Sequence, residues 1–455
     1  MSYELIMFLM FGGMMLMLLT GQRVFGAIGF IGSVFALWLW GTGGYELGFD
    51  ASIKLLNWYP LLTVPMFVFM GYMLSESGIA DDLYAMVHDL TGGLRGGLAI
   101  GTILLMVLIS AMNGLSVAGM AIGCSIALPE MLKRKYDKRM ISGVIQAGSS
   151  LGILIPPSVV LVLYGMIARQ PVGDLWLAGV FPGLLMATLF LVYIVVRCHL
   201  QPELGPILPP EERSVTWQHK MASIAKGIPA LLVMFLVIGL FLMGVTSLVE
   251  SSAVGALCAV GLAAWKKRLN WPVMERTLLQ TMNISAMFMW IIMAALCFGA
   301  VFDGLGAVKA IKNIFLGDWG LTPWQVIWLM MISFIILGMF LDDTAMLVIV
   351  APLYIPLVGE LGFNLVWFGV LYTITCQIAY ITPPFGYNLF MMRAMSPKEF
   401  TLGDIYRSII PFALIMAMTI MILMVFPQIA TWLPEQFMRN KSRGVSGKEI
   451  QPGGR

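Results

Sequence analysis

Two polar clusters interrupt otherwise apolar stretches of this chain, and both offer oxygen-bearing side chains with neither thiol nor imidazole among them. The first is "SAMNGLSVAG" (Ser110 to Gly119), with Ser110, Asn113 and Ser116. The second lies in "LGMFLDDTAMLVIVAP" (Leu337 to Pro352), with Asp342, Asp343 and Thr344. Each is followed by an apolar segment broken by two consecutive prolines, "LGILIPPS" ending at Ser158 and "ITPPFG" ending at Gly386. A proline inside a helix costs about 3 kcal/mol, because it removes a donor and frees a carbonyl one turn earlier. It also pushes the preceding residue out of α geometry. At Pro156-Pro157 the freed carbonyls are those of Gly152 and Ile155, with hydroxyls from Ser149, Ser150 or Ser158 beside them, facing the Ser110 to Ser116 tip. At Pro383-Pro384 they are those of Ala379 and Thr382, facing Asp342 and Asp343. Ligation by oxygen alone suits a hard cation. Carboxylates within a bilayer cost about 2.5–3.5 kcal/mol each on insertion scales and mark function by default. The structural alternative is an aspartate satisfied by helix N-terminal amides, and it is compatible with the same residue facing a cation.

The elements that must position these groups are membrane helices. With 59% hydrophobic and 11% charged residues and a mean hydropathy of +0.90, the composition lies far outside the soluble globular range. Uncharged runs such as Val24 to Gly44, Leu175 to Val196, Ile228 to Val249 and Ile409 to Thr431 approach the ~20 residues that cross a bilayer as helix. Period-2 alternation is absent, so an all-α polytopic protein is expected and not a barrel. Cys124, Cys198, Cys258, Cys297 and Cys376 have neither disulfide nor metal spacing, and His88, His199 and His219 stand alone. The first helix has no basic leader or small-residue cleavage site and is expected to be retained. A net charge of +3 gives no ground for a nucleic-acid partner.

Lysine and arginine concentrate in Met131 to Arg139, in Arg197 to Lys226, in Trp265 to Asn270 and around Arg393 and Lys398. The positive-inside rule places these stretches in the cytoplasm. Counting crossings puts the basic tail of Arg439, Lys441 and Arg443 on the other side, in conflict with that rule.

The chain is an internal duplication. Pro129 and Pro156-Pro157 recur as Pro356 and Pro383-Pro384 at an offset of 227 residues, and "GDLWLAGVFPGLLMA" recurs as "GDIYRSIIPFALIMA". "SGIADDLYAMV" stands where the second half has "DGLGAVKAI". The first copy occupies 1–199, with a hairpin at about 97–130 and a broken helix at about 140–166. The polar stretch 200–226 is a cytoplasmic linker. The second copy occupies 227–433, with a hairpin at about 322–358 and a broken helix at about 366–392, followed by a polar tail at 434–455. The loop "MLKRKYDKR" is basic and its counterpart "VGELGFNL" is not, so the copies have opposite orientation, as in secondary transporters. No Walker A pattern is present.

Leu98 to Leu128 is too long for one crossing and too short for two, at roughly 46 Å if straight. Asn113-Gly114 at its middle is a turn signal, so the run is expected to enter the membrane and return as a re-entrant hairpin. Non-helical backbone at that depth requires burial in protein or a wet cavity.

In this order and spacing the motifs resemble the large membrane subunit of the tripartite ATP-independent periplasmic (TRAP) transporters, over almost the whole chain. The similarity rests on "SAMNGLSVAGMAIGCSIALPEM" with "AGSSLGILIPPS", on "GMFLDDTAMLVIVAPLYIPL" with "ITPPFG", and on "FPGLLMA" and "VESSAVGA", which contains Glu250. One departure is Leu115, where a serine is common in the family's first tip. The resemblance implies sodium-driven uptake of a small organic acid across a bacterial inner membrane. It also implies a periplasmic substrate-binding protein and a small four-helix membrane subunit as partners. Sodium would sit between Ser110, Asn113 and Ser116 and the Gly152, Ile155 and Pro157 break, and again between Asp342, Asp343 and the Ala379, Thr382 and Pro384 break. Substrate would lie between the tips, near Ser116, Ser150, Ser158, Asp343 and Thr344. The hairpins and broken helices would then move as one elevator across a scaffold of the remaining helices. The rivals are a self-sufficient carrier of the same superfamily and an intramembrane enzyme using Asp342 and Asp343 as an acid pair.

Overall fold

Lipid offers backbone groups no hydrogen-bond partners, so the apolar runs satisfy their own as helices. The computed structural model describes residues 2–114, 116–207, 217–339, 341, 343–383 and 386–446, and among these every regular element is helical. The chain opens with α1 (Tyr3–Leu19), α2 (Val24–Leu39), α3 (Gly44–Leu56), α4 (Thr63–Glu76) and α5 (Ile79–Thr91). There follow α6 (Gly97–Asn113), α7 (Ser116–Ile122), α8 (Leu128–Lys133), α9 (Lys138–Ser150), α10 (Val159–Ala168) and α11 (Val172–Leu200). The second half begins with α12 (Trp217–Leu242), α13 (Leu248–Trp265), α14 (Trp271–Gly304) and α15 (Ala307–Lys312). It ends with α16 (Pro323–Gly338), α17 (Asp343–Glu360), α18 (Leu365–Ile381), α19 (Tyr387–Met395), α20 (Leu402–Val425) and α21 (Gln428–Ser446).

Among the described residues, five helices are long and apolar enough to cross a bilayer alone: α11, α12, α13, α14 and α20. The pieces Gly41–Leu56 and Tyr59–Glu76, bent by 62°, together pass the same test. The apolar helices α6, α10, α16 and α18 are shorter, and all four belong to hairpins or to interrupted helices.

The offset of 227 residues recurs in the elements themselves. α9 and α18 begin at Lys138 and Leu365, capped by Asp137 and Asn364, each of which accepts two amide N–H groups of its first turn. The outgoing arms α7 and α17 begin at Ser116 and Asp343. Gly78 before α5 and Gly306 before α15 both sit in the left-handed region, at φ +73° and +81°, where glycine carries no side-chain penalty.

The interrupted helices form the core: Met140 to Ser150 of α9 and Val366 to Ile381 of α18 are buried without exception. α6, α7 and α20 pack on α9, while α16, α11 and α20 pack on α18. The outer halves cross over, with α10 against α17 and α19 against α7. α14 spans the remaining helices, packing on α2, α3, α4 and α17.

The basic stretches meet at one end of the bundle. Lys266 pairs with Asp82 of α5, and Ser223 donates to Asp89 at the far end of the same helix. Gly96, just beyond α5, bonds to Gly205, and Asp137 bonds to Leu204. Lys138 in turn lies 3.7 Å from the carboxylate of Glu399. Within the stretch expected as a linker, residues 217–226 are the first turns of α12, and residues 208–216 lie outside the described residues. The expected tail likewise starts inside α21, which packs along α11 with Trp432 against Phe181.

Candidate functional site

The first tip meets the first break directly. Gly114 has φ +63°, and a Cβ there would come within 2.3 Å of the Pro157 carbonyl oxygen, so only glycine allows the approach. Its own carbonyl accepts the N–H of Val159 (3.4 Å), the first residue of α10. After Ser150 the chain makes one tight turn, Leu151–Ile153, bends through Ile155 to Pro157 and restarts as α10, all of it buried. Pro157 has no N–H to return to Ile153. The Ser158 hydroxyl takes over that role, donating to the Ile153 carbonyl (2.5 Å) while accepting the N–H of Leu161.

Ser116 is 2% exposed, and its hydroxyl exchanges hydrogen bonds with the Asn388 carboxamide (3.1 and 3.2 Å). Asn388, on α19, also reaches the Ser149 hydroxyl at 3.4 Å. One fully buried amide thus joins the first hairpin, the first broken helix and the far half of the second. Ser149 and Ser150 turn their protons to Gln146 and Ala147 of their own turn, which leaves their oxygens as acceptors. Gln146 and Gln377, both fully buried, each use their NH2 group, on Ser142 and on the Ser150 carbonyl respectively. Their side-chain oxygens have no donor. A buried acceptor left unpaired costs about 1–3 kcal/mol, so each marks a place for a water or a cation.

At the second break, α18 ends at Ile381, and Thr382 takes an extended conformation before Pro383. The Thr382 hydroxyl donates to the Ile378 carbonyl (2.5 Å). The Ala379 carbonyl was expected to be freed by the prolines, but it accepts the N–H of Thr382 (3.2 Å). The last turn of α18 tightens to a three-residue step, a usual way for a helix end to satisfy its orphan carbonyls. The second hairpin still abuts this break, since a Cβ on Gly338 would lie 2.5 Å from the Ala379 Cβ.

The sequence-predicted residues distribute as follows. Ser116, Ser150, Gly152, Ile155, Pro157 and Ser158 gather at the first break and tip. Ser110 and Asn113 fall in the last turn of α6, and Asp343 and Thr344 in the first turn of α17; the side chains of these four lie outside the described part. Asp342, Pro384 and Leu115 also lie outside the described residues. Glu250 acts locally: its carboxylate accepts the Ser247 N–H (2.7 Å) in a capping box at the start of α13. Sequence reasoning missed Gln146, Gln377 and Asn388. Their signal is a single amide inside or beside an apolar helix, a placement that demands a partner.

Residues 11–429 match the family model of the DctM component of the tripartite ATP-independent periplasmic transporters. The C4-dicarboxylate TRAP transporter large permease protein DctM of Pseudomonas aeruginosa is 31% identical over 83% of this chain and 86% of its own length. The sialic acid TRAP transporter large permease protein SiaM of Vibrio cholerae is 27% identical, over 93% of this chain and 97% of its own. Among solved structures, the YdaH transporter of Alcanivorax borkumensis shares the fold, with a TM-score of 0.63 at 16% identity over 86% of this chain and 89% of that one. The chain therefore belongs to the DctM family of TRAP transporter large permeases, and it is a multi-pass membrane transporter component and not an enzyme.

Proposed function

We propose that this permease takes up a small organic anion across the bacterial inner membrane, driven by sodium, and that a periplasmic binding protein delivers the substrate. The observation that carries this reading is the seating of Gly114 against the Pro157 carbonyl, which sets a polar tip on a backbone break inside the protein. The oxygens around it fit a hard cation: the Ser116, Ser149 and Ser150 hydroxyls, the Gly152 and Ile155 carbonyls, and the unpaired side-chain oxygens of Gln146 and Gln377. No thiolate or imidazole stands among them.

An inverted pair of copies supports alternating access. α9 starts among the basic loops, whereas the Leu365 carbonyl at the start of α18 accepts the Tyr164 hydroxyl (2.8 Å) near the end of α10. Tips with helix N-termini pointing inward favour an anion, and sodium offsets the repulsion between the Asp342 and Asp343 pair and a carboxylate. Either ligand alone leaves charge uncompensated, which couples the two. The crossed packing of α10 on α17 and α19 on α7 ties both hairpins and both broken helices together, as an elevator unit requires. The substrates named for relatives, a C4-dicarboxylate and sialic acid, both carry carboxylate, and an organic acid is the class proposed here. A small four-helix membrane subunit completes the complex.

The test is uptake into proteoliposomes holding this chain and the small subunit, with the cognate binding protein outside and candidate organic acids offered in turn. Uptake should follow an inward sodium gradient and require the binding protein. Transport that is equal with potassium in place of sodium would overturn the coupling.

A further inference from the structure

A second polar cavity lies away from the tips, at the basic end of the bundle. It encloses about 520 Å³ between the first turn of α9 and the facing turns of α11 and α20. Three guanidinium groups line it, those of Arg139, Arg197 and Arg407, together with Asp137 and Gln201. The two carboxylates nearby are already engaged. Asp137 caps α9 through the N–H groups of Arg139 and Met140, and Asp404 stands 3.6 Å from the Arg139 Nε. Among the described residues Arg197 and Arg407 have no carboxylate partner, so the cavity keeps an excess of positive charge.

The surface beside it is apolar and faces outward. On α11, Val192 (54% exposed) and Val196 (50%) stand one turn apart and lead from Arg197 away from the basic end. On α20, Ile410 (54%) and Leu414 (65%) do the same from Arg407. Residues four apart share a helix face, so each arginine sits at the head of an apolar stripe running into the hydrocarbon. A planar guanidinium matches phosphate oxygens bidentately and is more weakly hydrated than an ammonium. Basic pockets between helices on the cytoplasmic side suit anionic lipid headgroups.

We propose that this cavity holds the phosphate of an anionic phospholipid from the cytoplasmic leaflet, with Arg197 and Arg407 on its oxygens and its acyl chains along the two stripes. The lipid bridges α11 and α20 beside the start of α9. Charge complementarity selects the headgroup, and the adjoining exposed stripes select a lipid over a free anion.

The experiment uses the purified full chain in neutral detergent. Retention of phosphatidylglycerol and of phosphatidylcholine is read by native mass spectrometry, and protection against heat is read for each lipid and for inorganic phosphate. Phosphatidylglycerol should be retained in preference and raise the melting temperature, whereas phosphatidylcholine and inorganic phosphate should not. R197Q/R407Q should weaken phosphatidylglycerol retention about tenfold, and R197K/R407K, which keeps the charge, should recover part of it. Equal retention by wild type and R197Q/R407Q would overturn the proposal. Protection by inorganic phosphate equal to that by the lipid would also overturn it, assigning the cavity to a soluble anion. Should R197Q/R407Q fail to fold, the wild-type chain decides alone: equal retention of the two lipids refutes the site.

Discussion

Gln377 donates its side-chain amide to the Ser150 carbonyl at 2.9 Å, and the two residues stand 227 positions apart. That is the offset relating the double prolines, the caps Asp137 and Asn364, and the helix starts Ser116 and Asp343. Equivalent positions of two copies can touch only close to the axis that relates them. The bond therefore marks the centre of the paired breaks, and it reaches the last helical residue before the first one.

Replacing Gln377 by leucine should weaken sodium binding and leave insertion intact. The change strips the Ser150 carbonyl of its donor in a fully buried setting, a loss of about 1–3 kcal/mol. Because about 1.4 kcal/mol is a factor of ten, the sodium concentration giving half-maximal uptake should rise roughly tenfold or more. Gln377→Glu keeps an acceptor and loses the NH2 donor, so it should not rescue at neutral pH. An unchanged sodium response in the leucine variant removes any part for this bond in cation binding.

Gly114→Ala should cost most of the transport rate. The added Cβ would fall 2.3 Å from the Pro157 oxygen, and the backbone at φ +63° is unfavourable for a side chain. The tip must then lift off the break, and we expect a fall of at least about tenfold in initial uptake. Gly12→Ala on α1, where no neighbour lies within 4 Å, serves as the control and should transport as wild type. Equal rates in the two variants would argue that the tip and the break work independently.

Much of this arrangement was legible before any coordinates, for a physical reason. Proline, glycine and Asn-Gly act on their own local backbone, so the breaks at Pro156-Pro157, the turn at Gly114 and the duplicated order of elements follow from sequence alone. Tertiary partners leave weaker traces. Asn388 bonds to Ser116, 272 residues away, and nothing near either residue announces the other. The fate of the freed carbonyls was equally hidden. Ala379 is recaptured by Thr382, and Ile153 by the Ser158 hydroxyl, through choices among nearby donors that composition does not decide. The first turns of α12 were read as linker because Gln218, His219 and Lys220 are polar, although Ser223 anchors that helix to Asp89.

Asn388 and Ser116 should behave as a coupled pair. Asn388→Ala removes the partner of Ser116 and the contact to Ser149 together, whereas Ser116→Ala removes only one of them. The asparagine variant should therefore lose more transport, and the double variant should lose little beyond it. A coupling energy of about 0.5–3 kcal/mol is expected from uptake rates of the four proteins. Strictly additive losses would mean that the two side chains do not act through their mutual bond.

Asp343→Ala should abolish sodium-driven uptake while the chain still inserts. Asp343 is the counterpart of Ser116: both are the first residue of the outgoing arm of a hairpin, in the second and first copies respectively. An aspartate at the first turn of α17 benefits from the helix's N-terminal amides, which lowers the cost of a charge at that depth. That same charge is what a sodium ion and a nearby carboxylate substrate would sense. Uptake should drop to the level seen without a sodium gradient, with normal abundance of the protein in the membrane. Asp342→Ala serves as the companion. If it alone abolishes uptake and Asp343→Ala retains normal sodium dependence, the assignment moves one residue toward the tip.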